Sequence, residues 1–113
     1  MSSDGVYVRI WEYMAQPEAR LEFENFYGPD SEWVQLFRHS KAFLGTELLH
    51  DRNAENRYVT LDYFVSQTGF DAFLRDFRQE YEALDRRCDS VRESEREIGA
   101  FVALGSSVFR AGA

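Results

Sequence analysis

Three charged residues, Arg9, Glu47 and Asp62, fall where chemistry is possible. Arg9 stands in VYVRIWEYM, residues 6 to 14, a run of mostly β-branched and aromatic residues without Gly or Pro that predicts a strand. Side chains alternate along a strand, so Tyr7, Arg9, Trp11 and Tyr13 share one face and Val6, Val8, Ile10, Glu12 and Met14 the other. Downstream, AFLGTELLHDR and RYVTLDYFVS flank NAEN, the pattern of a β-hairpin. With NAEN as the turn, Arg52 faces Arg57, and counting back sets Glu47 directly opposite Asp62 on one face. Neighbouring carboxylates repel, and such a pair keeps a proton or recruits a cation. If the first strand lies beside the second hairpin strand, Arg9 supplies that cation. Two roles fit the trio. One is an ion-pair network that fixes sheet register or a dimer seam. The other is a polar anchor in which a carboxylate accepts a phenolic proton.

Aromatic residues with polar tips are abundant. Trp11, Tyr13, Tyr27, Trp33, Tyr58 and Tyr63 could line a pocket for a flat aromatic ligand; singly each reads as core, together they favour a cavity. Glu12, on the aliphatic face, is expected near the strand end, capped by a helix or solvated, and is the second choice as a base. His50 falls near the hairpin turn and His39 at the end of a short helix, where a cation complements the helix dipole. The two are not at ligand spacing and no Cys joins them, so no metal site is expected. Cys88 lies on an apolar stripe and reads as core. GxGxxG, Walker A, GxSxG and HExxH motifs are absent, leaving nucleotide-dependent and triad chemistry without support; no cofactor is expected.

The elements that must position these residues follow in order. QPEARLEFENFYG reads as a helix, with Pro17 at its first position and Gly28-Pro29 as its stop. A second short helix after Asp30 or Ser31 carries Trp33, Leu36 and Phe37 on one side. After the hairpin, Phe70, Phe73, Leu74, Phe77, Tyr81, Leu84, Cys88 and Val91 step by three or four, predicting a long helix over residues 68 to 91. Thr68 with Asp71 resembles a capping box. RESERE ends that helix or begins a loop, and IGAFVAL supplies the last strand. The order β-α-β-β-α-β, with its first helical segment broken in two, is the ferredoxin-like α+β plan: a four-stranded antiparallel sheet with its helices on one face. The bare face would be a large exposed apolar patch, so a homodimer, sheet against sheet, is expected.

RIWEY, EFENFYG, GTELLHD, YVTLDYF and EREIGAF together resemble the dimeric α/β-barrel superfamily, and within it the antibiotic-biosynthesis-monooxygenase-like proteins. The resemblance spans roughly residues 6 to 104 and implies a protomer that pairs with its twin into a barrel. It also implies oxygenation of phenolic or quinol-type substrates without metal or flavin. The haem-degrading branch relies on a helix-borne His with Asn and Trp partners; residues 68 to 91 contain neither His nor Asn. Catalytic assignments of the quinol-oxidising members do not map onto this chain residue by residue.

Composition bounds the rest. At 113 residues, 44% hydrophobic and 16% aromatic, the chain suits one domain, 6–104, between a flexible N-terminus at 1–5 and a tail at 105–113. A single cysteine excludes an internal disulfide and fits a reducing compartment. With no signal or transmembrane-length run, the cytoplasm is the expected location. The net charge of -7 disfavours nucleic acid and anionic membrane as partners. Two functions emerge: a cofactor-independent monooxygenase acting on a small aromatic substrate, or a non-catalytic dimeric module for binding or assembly.

Overall fold

In the computed structural model, which describes residues 5–105, the opening run forms strand β1, Tyr7–Ala15. A 3-10 turn at Pro17–Ala19 leads into α1, Arg20–Tyr27, and then α2, Glu32–Phe37. The hairpin strands are β2, Phe43–His50, and β3, Arg57–Phe64. Helices α3, Gln67–Asp76, and α4, Arg78–Arg87, precede β4, Arg92–Val102. The strands form one antiparallel sheet in the order β2-β3-β1-β4, the expected ferredoxin-like α+β arrangement. The termini expected to be loose lie, beyond Gly5 and Gly105, outside the described residues.

Two helix starts have hydroxyl caps. Ser31 Oγ accepts from the Val34 amide at 3.3 Å, and Ser66 Oγ accepts from the Gly69 amide at 3.0 Å. Ser66, not Thr68, is therefore the cap of α3. Gly69 is required there by space: a Cβ would stand 2.5 Å from the Ala42 side chain. The single helix expected over 68–91 is two helices broken at Phe77, plus a 3-10 turn at Cys88–Ser90. Phe70 and Phe73 of α3 and Leu84 of α4 are all buried, so the break lets both segments keep an apolar side in the core.

RESERE is neither helix end nor loop but the first half of β4. Its charges find partners across the sheet: Arg96 Nε donates to Glu12 at 2.9 Å, and Glu97 accepts from Arg9. Glu12 is thus neither helix-capped nor simply solvated. Arg57 and Arg96 clamp it on the open face, and their hydrogen bonds hold its carboxyl below the usual range.

The helices cover the face that carries Tyr7, Tyr13, Tyr58 and Phe64, which join Phe23, Tyr27, Trp33, Phe37, Phe70 and Phe73 in one core. On the opposite face Val8, Ile10 and Met14 lie beside Val59 and Leu61 of β3, with Leu49 and Phe101 about half exposed.

The hairpin register differs from the expected one by a single residue. Asp51 donates its amide to the Arg57 carbonyl, and the loop runs through residues 52–56, so Thr46 stands opposite Asp62 and Glu47 opposite Leu61. Asp51 explains the shift. Its carboxylate accepts from the Asn53 amide at 2.8 Å and from Arg57 at 3.0 Å, an Asx turn that closes the hairpin one residue early. A one-residue slip moves every side chain of a strand to the other face. Glu47 and Asp62 are therefore not neighbours.

Candidate active site

Between the helix-side face of the sheet and helices α2 and α4 lies a partly open cleft of about 110 Å³. A dry cavity of roughly 150 Å³ holds benzene, so the enclosed part of this space is smaller than one ring, and a ring entering it extends into the open side. Trp11 and Tyr13 of β1, Tyr27, Trp33 and Phe37 of α1 and α2, and Tyr81 of α4 form the aromatic walls. Tyr81 meets Trp33 edge-on at 4.9 Å, and Trp11 and Tyr13 stack at 6.4 Å. Thr46, Thr60, Asp62, Asp85 and Glu95 supply the polar lining.

Asp62 is the group with a shifted carboxyl on the sheet floor. Burial pushes it up to about 6, with the Thr46 hydrogen bond and the Arg9 charge pulling the other way. Among the described residues its one hydrogen bond comes from Thr46 Oγ1, at 2.8 Å to Oδ1. Two residues earlier on the same face, Thr60 is 3% exposed and its hydroxyl has no partner among the described residues; the same holds for Trp33 Nε1. Burial also pushes the Tyr81 phenol up to about 12, and raises Tyr13 and Glu95.

Arg9 does not bridge Glu47 and Asp62. Its guanidinium donates to Glu97 at 2.8 Å and lies 4.7 Å from the Phe70 ring centre and 5.8 Å from that of Trp11. It remains close enough to Asp62 and Tyr81 for its charge to lower both. A bulge makes this arrangement. Gly99 pairs with Ile10 and Glu97 with Trp11, so the extra residue Ile98 switches β4 and turns Glu97 and Glu95 toward the helices. Arg92, 8% exposed, ties the back wall: it donates to the Tyr27 hydroxyl at 2.9 Å and pairs with Asp85, Asp89 and Glu95 at 3.1, 2.7 and 3.2 Å.

Of the residues expected at a site, Trp11, Tyr13, Tyr27, Trp33 and Asp62 line this cleft, and Arg9 acts on it from the side. Tyr58 lies elsewhere. It stacks on His50 at 4.5 Å and donates to Glu24 at 2.5 Å. Tyr63 and Glu47 pair on the open face, the phenol donating at 2.5 Å. Thr46, Thr60, Tyr81, Asp85 and Glu95 were not anticipated. Tyr81 and Asp85 were findable, one helical turn apart on the same side of α4, and Thr60 shares the Asp62 face of its strand.

No protein-family model matches the chain, and no curated protein does. Solved structures do match. The crystal structure of SnoaB, a cofactor-independent oxygenase from Streptomyces nogalater, superposes with a TM-score of 0.68 at 19% identity, covering 90% of this chain and 96% of that one. The chain shares the fold of this oxygenase. A Chloroflexus aurantiacus protein provisionally named an antibiotic biosynthesis monooxygenase shares that fold at a TM-score of 0.61 and 15% identity, with 91% and 97% of the two chains covered. So does NE2512 from Nitrosomonas europaea, a protein of unknown function, at 0.69 and 14%, with 96% and 99% covered. At these identities the likeness speaks to fold, and the chemistry rests on the cleft.

Proposed function

We propose that the chain is a monooxygenase that uses its own side chains to prepare a small phenolic or quinol-type substrate for reaction with O₂. The reading rests on Asp62: a carboxyl near 6, holding one hydrogen bond from Thr46, on the floor of a partly open aromatic cleft. A general base works best with its pKa near the operating pH. Asp62 takes the ring hydroxyl's proton; Tyr81 donates to the phenolate, and Arg9, whose own hydrogen bonds go to Glu97, favours it only through the field of its charge. The electron-rich anion gives an electron to O₂. A C–O bond then forms at the para carbon, the O–O bond and the para C–H bond break, and that hydrogen leaves in water together with the proton held by Asp62. The balance is phenol plus O₂ to para-quinone plus water. The naming of SnoaB as a cofactor-independent oxygenase supports the reading. Glu47, on the far face, has no part in it.

The open face completes the proposal. Its apolar strip is closed by a second copy, sheet against sheet, with the Glu12–Arg57–Asp51 and Arg96 pairs inside the seam. Oxygen uptake in air, over a panel of mono- and dihydroxy-benzenes and naphthalenes, tests the activity. At least one compound should be consumed well above its uncatalysed rate with a quinone as product. Uptake equal to the control across the panel would leave a binding module.

A further inference from the structure

The cleft is acidic as well as aromatic. Asp62, Asp85 and Glu95 line it, and Glu97 and Asp89 stand on the two guanidiniums nearest to it, Arg9 and Arg92. Five carboxylates thus surround two cations. Neither cation faces the space as a free anion receptor: Arg92 is buried among Tyr27, Asp85, Asp89 and Glu95, and Arg9 is held by Glu97 against Phe70. The acids are also unequal in depth. Asp62 lies on the sheet floor, while the Asp85 and Glu95 side chains, 42% and 32% exposed, stand at the rim. Beside Asp62 the Thr60 hydroxyl is buried and without a partner among the described residues, a donor and acceptor open to a ligand's polar atom. Trp11 and Tyr81 add ring faces of the kind that attract cations.

We infer that the substrate is a hydroxylated ring bearing a cationic amine arm, its hydroxyl directed to Asp62 and Thr60 and its ammonium to Asp85 and Glu95, and that anionic rings are rejected. This deepens the proposed function and rests on the same cleft. Like charge in a partly desolvated site is strongly unfavourable, so an acidic arm is excluded by the same carboxylates that hold an amine.

Three catechols that differ in the arm alone provide the test: 4-(2-aminoethyl)catechol, 4-(2-hydroxyethyl)catechol and 3,4-dihydroxyphenylacetate. Binding is read under argon from quenching of tryptophan fluorescence, since the two tryptophans, Trp11 and Trp33, both line the cleft. The amine should bind tightest and the carboxylate weakest, separated by at least about tenfold. The Asp85→Asn and Glu95→Gln variants, alone and combined, should narrow that gap by weakening the amine. Equal binding of all three, tighter binding of the carboxylate, or an amine preference that survives the double variant would overturn the inference while leaving Asp62 as the base. Failure of all three to quench would overturn the cleft as a binding site together with the inference.

Discussion

Asp62 sets opposing demands on stability and chemistry. A carboxyl moved from an ordinary 3.8 to about 6 binds its proton more strongly in the folded chain. Folding stability should therefore fall as pH rises from about 4 to about 6, and the deficit should persist above that, at an upper limit of about 3 kcal/mol. Asp62→Asn removes the charged form. Its denaturant midpoint at pH 7.5 should exceed wild type, and the slope between pH 4 and 6 should flatten. Arg92 behaves in the opposite way. Arg92→Met leaves Asp85, Asp89 and Glu95 without their cation and should destabilise by about 2–3 kcal/mol, because its partners keep some solvent. Chemical denaturation checks both. An unchanged midpoint for Arg92→Met would mean that solvent already screens the cluster. The residue types of the site were legible in sequence: an arginine among rings, a surplus of polar-tipped aromatics and an aspartate on a half-apolar strand. The arginine's partner was not, because Glu97 reaches it through a bulge.

Elements were legible where side-chain periodicity sets them and obscure where single residues punctuate them. The element order and the aromatic face of β1 follow from alternation and helical spacing. The hairpin register does not, because the Asp51 side chain decides it by bonding Asn53 and Arg57. Nor does the start of β4, whose charged sequence suggests solvent until its cross-sheet partners are known. The consequence is that Thr46, and not Glu47, tunes the Asp62 carboxyl. Removing the Thr46 hydrogen bond with Thr46→Val takes away an influence that lowers the Asp62 carboxyl. The acidic limb of a pH–rate profile should then move to higher pH, while Glu47→Gln leaves it in place. A shift in Glu47→Gln and none in Thr46→Val would restore the register counted from NAEN. Gly69 is a second element-level check. Gly69→Ala forces the start of α3 off Ala42 and should lower stability by about 1–3 kcal/mol.

At the scale of the whole molecule, one face of the sheet is closed by helices and the other carries an apolar strip that no helix of the described residues covers. VYVRIWEYM signals two faces that do not look wet, and the element order, which sets both helical segments on one face, signals that the other is left bare. Sedimentation at micromolar concentration should give about twice the chain mass of 13.2 kDa. Leu61→Glu, which sets a second carboxylate beside Glu47 on the open face, should shift the species toward monomer. A monomeric wild type with a folded circular dichroism spectrum would mean that the apolar strip is tolerated bare. The central question is whether Asp62 is the base, and the pH dependence of oxygen uptake on the best phenolic substrate answers it most directly. For wild type, kcat/KM should rise with pH through an inflection near 6, where Asp62 ionises. Folded Asp62→Asn should lose about 10²- to 10⁴-fold, together with that inflection. An Asp62→Asn variant that keeps both the rate and the inflection would place the base elsewhere.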